Sequence, residues 1–497
     1  MNLIPLFVAI PLFGAFLLPL AGKSNKIIER AISLAVSLFL VIASIYSLFL
    51  VQGSQALVYK FGNWIPPIGI CFVLDGLSAF MLITVNIVAF TAMLYSVNYI
   101  EKFSASWKYF TLYLLMTAGL NGVVLTGDLF NLFVFMELTA VACYALVAFG
   151  CEHEELEAAF KYMVLGTIAS LFILIGIVFI YSYTSSLNMA DISRELALKQ
   201  SVHLNLLVMV LFIMGFGLKA ALVPFHSWLP DAHPSAPAPV SAMLSGVVIK
   251  ALGVYVLVRL IFNVLGNIDQ TKEILMMLGA LSMVVGVILA VVQWDFKRLL
   301  AYHSISQIGY VVLGFGLATP LGILGGLFHL INHAAFKSLL FLNAGAVEYN
   351  TNTRQLEEMG GLKQVMPVTS STSLVASMSI AGVPPFNGFW SKLIIIIAAV
   401  EAQRYVYASI AVIVSIITLI SFAKVQRYCF YGALKEKWEK VKEVPVFMAS
   451  AMIILAVLCV IMGGMLIPSV KGIVFDPAIA VISQGIGYGN AVLGSLK

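Results

Sequence analysis

The sequence predicts an all-α polytopic membrane protein of about 14 transmembrane helices, and three observations lead there. Hydrophobic residues make up 61% of the 497 residues and charged ones only 10%, against roughly 25% charged residues in soluble domains. The apolar residues gather into runs of about 20, the length that crosses a bilayer as a helix. Four charged side chains, Glu137, Lys219, Lys250 and Lys392, lie inside such runs. A charge in hydrocarbon is costly, so these residues are expected to face a protein interior or a water-filled path.

In order, the runs lie near 2–22, 28–51, 70–98, 109–126, 129–149, 158–183, 204–224, 236–264, 274–293, 299–317, 321–345, 369–400, 406–431 and 446–467. The first starts at Met1-Asn2-Leu3 without a basic stretch or a small-residue cleavage site. It reads as a retained helix rather than a signal peptide. Thr126-Gly127-Asp128 reads as a tight turn between spans, and Glu152, Glu154, Glu155 and Glu157 as a solvated loop face. The longest polar stretch, 347–367, is too short for a core of its own. With the N-terminus outside, most Lys and Arg between the runs fall on the inner side. They include Lys23, Lys102, Lys297, Arg298, Arg354 and the cluster from Lys424 to Lys442. This bias predicts a multi-pass protein of the cell membrane with both termini on the outer side. It also accounts for the net charge of +5, which is no signal of nucleic-acid binding. No pair among the five cysteines has metal-ligand or redox spacing.

Two runs are interrupted. The stretch from Gly215 to Trp228 holds Lys219 and Pro224-Phe225, and that from Ala381 to Lys392 holds Pro384-Pro385-Phe386 and Trp390. Proline removes a backbone donor and clashes with the preceding turn. Backbone freed in this way is tolerated at membrane depth only against protein or water. One broken helix with a lysine in each half predicts two inverted repeats, 109–264 and 274–431. N-terminal helices at 1–108 and a C-terminal helix and tail at 432–497 flank them.

Glu137, Lys219, Lys250 and Lys392 suit a proton relay, in which burial and mutual charge set each proton affinity. Lys219 is the candidate partner of Glu137, and a pair that opens and closes changes both affinities together. Lys250 follows Ser245-Gly246, small residues that leave room for water. A buried lysine readily becomes a proton acceptor. His329, His333 and Lys337 share a helical face at i, i+4 and i+8 and suit a bridge along a wet path. Lys337 serves equally well as a local partner. The two histidines lack a third metal ligand, so no metal site is expected, and no cofactor motif appears. Arg259 is expected to snorkel to water, and His226 and His233 to lie at the inner membrane edge. Asp295, Lys297 and Arg298 are expected to close a loop. The alternative to a relay is a structural scaffold whose charges are static buried ion pairs.

Five stretches carry a resemblance, in order over 109–431. They are Gly127-Asp128-Leu129-Phe130-Asn131 with its continuation to Glu137, Pro224-Phe225-His226-Ser227-Trp228-Leu229-Pro230-Asp231-Ala232-His233, Asp295-Phe296-Lys297-Arg298-Leu299, His333-Ala334-Ala335-Phe336-Lys337 and Gly382-Val383-Pro384-Pro385-Phe386. They resemble the antiporter-like subunits of respiratory complex I and its relatives. Within that superfamily the chain is most similar to the D-type subunit of Mrp cation/proton antiporters. Its counterpart in archaeal membrane-bound hydrogenase and sulfur reductase complexes is as close. The resemblance implies two inverted five-helix repeats and a switching pair at Glu137 and Lys219. It also implies a central Lys250 that passes the proton to a terminal Lys392. A lysine rather than a glutamate at 392 departs from some middle complex I subunits and favours the D-type. The implied function is proton translocation, by H+ alone or in Na+/H+ exchange. The implied partners are other membrane subunits of a hetero-oligomeric antiporter or redox complex. No cofactor is implied in this chain, and any redox chemistry would belong to partner chains.

Overall fold

A computed structural model describes residues 3–23, 25–53, 56–199, 202–266 and 268–495, the side chains of 268 and 270 excepted. Met1 and Asn2, where the first expected run begins, lie outside the described residues. Helix α1 (Leu6–Leu17) continues as a π-helical turn to Gly22 and is followed by α2 (Lys26–Leu50). A small antiparallel hairpin comes next, β1 (Leu57–Lys60) against β2 (Cys71–Leu74), with Leu57 opposite Leu74. The first half then runs through α3 (Gly76–Tyr99), α4 (Ser106–Leu125), α5 (Leu129–Val147), α6 (His153–Thr184), α7 (Met189–Lys199), α8 (Val202–Lys219) and α9 (Leu229–Ser235). It closes with one long helix made of α10 (Ala238–Met243), π-helical turns and α11 (Val256–Val258), reaching Leu265. The second half comprises α12 (Ile268–Val291), α13 (Phe296–Gly316), α14 (Pro320–Thr351), α15 (Pro367–Ala381), α16 (Asn387–Glu401) and α17 (Tyr405–Val425). After α18 (Val446–Ile461) the chain ends in short helices α19 (Pro468–Val474), α20 (Asp476–Ser483) and α21 (Tyr488–Gly494). Among the described residues, eleven helices are long and apolar enough to cross a membrane.

Local chemistry sets the helix starts. Asp75 accepts the Ser78 N–H at 2.9 Å while the Ser78 hydroxyl accepts the Asp75 N–H at 2.7 Å. Two orphan donors of α3 are satisfied at once. This start, at Gly76, lies six residues later than the run 70–98 suggests. Every residue of β2 is buried, so a strand reads as the apolar beginning of a helix. Asp128 accepts the Asn131 N–H at 2.8 Å and caps α5. The acidic run at 152–157 is not a loop face. Glu152 and Glu155 form a reciprocal cap at the first turn of α6, where the positive end of the helix favours carboxylates.

The core lies where the chemistry-bearing helices meet. The apolar stretches of Ala238–Leu265 and of α14 are 100% buried, while those of α6 and α17 are only 39% and 33% buried. Small residues permit this. A Cβ on Gly246 would overlap the Ser338 hydroxyl of α14, and one on Gly345 would overlap Ala238. Both expected breaks are present. At the first, α8 stops at Lys219 and Ala221 takes a left-handed conformation, φ 55°. At the second, Gly382 ends α15 at φ 80°, and Gly388 starts α16 so close that a Cβ would overlap the Ser379 carbonyl. Gly388→Ala is therefore expected to cost about 1–3 kcal/mol. A lowered melting temperature of the purified protein checks it.

Candidate functional site

The expected charged residues converge on these central helices. Lys219 ends α8, Lys250 lies in the π-helical stretch after α10, His329, His333 and Lys337 lie on α14, and Lys392 lies on α16. All six are buried. Glu137, on α5, differs: its side chain is 34% exposed on the outer surface of this chain. Its Oε1 lies 3.8 Å from Lys219 Nζ and accepts a short hydrogen bond from Ser170 Oγ. The ion pair is thus too long for a hydrogen bond, and Lys219 Nζ has no hydrogen-bond partner among the described residues.

Lys250 is held by backbone alone. Its Nζ donates to the Ser245 and Gly246 carbonyls, both at 2.6 Å. Those carbonyls lie in the π-helical turn Leu244–Val248. A π turn widens the helix and loosens the regular backbone ladder, and such turns recur at functional sites. No carboxylate lies within ion-pair distance of Lys250 among the described residues. Lys337 has no hydrogen-bond partner there either, and its ammonium sits 5.5 Å from the Phe341 ring centre. The local counter-charge allowed by the sequence is thus replaced by an aromatic face.

The histidines continue the line. Both nitrogens of His333 lack partners among the described residues, and its ring stacks 6.3 Å from that of His329. His329 bonds Ser391 Oγ at 2.9 Å through Nδ1 and Gln307 Oε1 at 3.2 Å through Nε2. Ser391 immediately precedes Lys392. The Lys392 ammonium donates to the Ile380 carbonyl at 2.7 Å and to Ser415 Oγ at 3.2 Å, and it lies 4.9 Å from the Tyr310 ring. Tyr310 in turn lies 5.4 Å from the His329 ring.

Sequence reasoning missed the approach to this line. Lys297 does not close a loop; it is buried and pairs with Glu348 at 2.7 Å while donating to the Ala236 carbonyl at 3.1 Å. A cavity of about 410 Å³ beside it is lined by Tyr99, Glu155, Pro237, Glu348 and Arg354. Asp295 pairs with Arg354 at 3.2 Å. His233 is buried, its ring 4.5 Å from Phe341. His226 is only partly buried. Arg259 does not snorkel. It is buried and grips Asp75 with two hydrogen bonds of 2.7 and 2.8 Å. Snorkelling needs a route to water, and the C-terminal helices block it: Tyr488 of α21 lies 5.3 Å from the guanidinium.

Comparison with known proteins gives a consistent neighbourhood. Residues 126–418 match the family described as NADH:quinone oxidoreductase/Mrp antiporter, transmembrane. Residues 64–110 match the N-terminus of chain 5 of NADH-ubiquinone oxidoreductase (complex I). The chain is 36% identical over 443 residues to the D-type subunit of the Na(+)/H(+) antiporter of Alkalihalophilus pseudofirmus, covering 88% of this chain and 89% of that one. It superposes on a chain of the Mrp complex of a Dietzia species with TM-score 0.90 and 29% identity, over 99% of this chain and 100% of that one. It superposes on a chain of the archaeal membrane-bound sulfane sulfur reductase with TM-score 0.89 and 30% identity, over 98% and 100%.

Proposed function

The chain belongs to the NADH:quinone oxidoreductase/Mrp antiporter family of multi-pass membrane subunits, and on that premise we propose that it is a proton-translocating, antiporter-like subunit. It works beside other membrane subunits, in a multisubunit Na+/H+ antiporter or a related redox-driven complex. Lys250 carries this reading: a fully buried ammonium on a π-widened helix, without a carboxylate partner among the described residues. Static scaffolding pairs opposite charges, as at Asp75 and Arg259. An ammonium held only by carbonyls can release its proton to a neighbour.

The architecture we propose has about 14 spans. The broken segments α8–α9 and α15–α16 each count once, and α1 and α13 span as well. Two inverted five-helix repeats, 109–264 and 274–431, lie between the helices of 1–108 and the C-terminal helix and tail of 432–497. The basic loops face inward and both termini outward. Protons pass between the Lys297–Glu348 edge and Lys250 by way of His233. They continue through Lys337, His333 and His329 to Lys392, or run in reverse. Glu137 and Lys219 form the coupling pair, with Glu137 facing an adjacent subunit among the exposed side chains Phe130, Val134 and Val141.

Vesicles holding the purified complex test this. Proton movement driven by a sodium gradient selects the antiporter, and a requirement for an electron donor selects the redox complex. Glu137→Gln keeps the side-chain size and is expected to slow proton movement about tenfold or more at unchanged subunit content. Parent-level transport would take the pair out of coupling.

A further inference from the structure

Helix α15 carries a polar face that the path above does not use. Of its buried residues, Thr369, Ser370, Thr372, Ser373, Ser377 and Ser379 bear hydroxyls. Their spacing of three and four residues places most of them along one side of the helix. The distance from Thr369 to Ile380, whose carbonyl holds the Lys392 ammonium, is about 16 Å at 1.5 Å per residue, roughly half the hydrocarbon thickness.

Side chains of three other elements are aimed into this face. At its start, Glu443 accepts the Thr369 hydroxyl at 2.6 Å and the N–H groups of Val368 and Thr369 at 2.8 and 3.1 Å. One turn on, the Thr372 hydroxyl donates to Asn343 Oδ1 of α14 at 2.8 Å. Next, Gln426, just beyond α17, donates from Nε2 to the hydroxyls of Ser373 at 3.1 Å and Ser377 at 2.9 Å. Asn343 and Gln426 are buried, yet Asn343 Nδ2 and Gln426 Oε1 have no partner among the described residues. Buried amide atoms left unpaired are costly unless water reaches them. A hydroxyl stripe that merely satisfied its own helix would need neither amide.

We propose that this face of α15 is a hydrated column that carries protons between the basic membrane edge at Glu443 and the Lys392 amine, a second access to the relay from the side that bears Lys297. Hydroxyls and amides both accept and donate, so they keep a file of water hydrogen-bonded without a charged side chain of their own. The only chemistry is proton transfer: hydronium gives its proton to the neutral Lys392 amine and leaves water behind. The inference rests on the functional reading above and adds a route to it.

The test is Ser377→Cys in the assembled complex, with exposed Cys151 replaced by serine; the other four cysteines are buried. A small, membrane-impermeant methanethiosulfonate is applied from either side of oriented vesicles. We expect modification from the basic side at least about tenfold faster than in the background lacking Ser377→Cys. Gln426→Leu, which turns the column's polar wall apolar, is expected to slow it again. Modification at the background rate, modification only from the opposite side, or a Gln426→Leu complex modified equally fast would overturn the proposal. Protection of the thiol by sodium but not by choline would put a bound cation in the column and also overturn it. Proton movement by the parent complex in the same vesicles tests the functional reading separately, so the two can fail independently.

Discussion

Lys250→Ala is expected to reduce proton movement by the assembled complex about 100-fold or more, the range associated with loss of a positioned proton-transfer group, while subunit content stays normal. The truncation removes the ammonium held by the Ser245 and Gly246 carbonyls. It leaves the small-residue contact between Gly246 and Ser338 in place, so the helices should still pack. The sharper variant is Lys250→Arg. Arginine keeps a positive charge at this position and satisfies the carbonyls, but it does not give up its proton in a protein. A scaffold that needs only a fixed charge would tolerate it. A relay that needs a proton to leave would not. We expect Lys250→Arg to be as inactive as Lys250→Ala, and near-parent transport in Lys250→Arg would return this chain to a structural role.

The parts of this site that the sequence displays are those that break the apolar pattern of a span. Lys219, Lys250 and Lys392 stand out because a charge inside a run of about 20 apolar residues needs a reason. The two breaks stand out because proline and glycine punctuate them. What stays hidden does not disturb that pattern. The π-helical turns around Lys250 are a matter of backbone hydrogen bonding, and their side chains are as apolar as those of any span. Lys297 lies in Asp295-Phe296-Lys297-Arg298, which has the composition of a loop, and only its partner Glu348, 51 positions on, reveals it as buried. The hydroxyls of α15 were visible as Thr369-Ser370-Ser371-Thr372-Ser373. Serine and threonine bond their own helix well enough to pass within a span, so the stripe acquires meaning only beside Asn343 and Gln426. Asp75 was hidden by β2, whose buried side chains made the helix appear to begin earlier.

That hidden aspartate leads to the second large effect, on stability rather than transport. Removing one member of a buried ion pair strands the other charge away from water, and Arg259→Leu is expected to cost about 3–5 kcal/mol on that ground. The loss should appear as a lower melting temperature of the purified complex. The guanidinium also holds the C-terminal helices in place. It donates to the Tyr255 hydroxyl at 3.2 Å and lies beneath the Tyr488 ring, while nearby Asn263 donates to the Val481 carbonyl of α20 at 2.7 Å. Loss of the arginine should therefore loosen α20 and α21 first, so that protease cuts near the C-terminus before the spans unfold. Asp75 has a second duty as the cap of α3, which makes Asp75→Asn the informative partner change: asparagine caps a helix nearly as well as aspartate but carries no charge. With both changes no charge is stranded, and the double variant Asp75→Asn/Arg259→Leu should recover most of the stability lost by Arg259→Leu alone. If the double variant is as unstable as the single one, the arginine acts through its contacts with Tyr255 and Tyr488 rather than through its charge. The pair would then be a packing device that happens to be ionic.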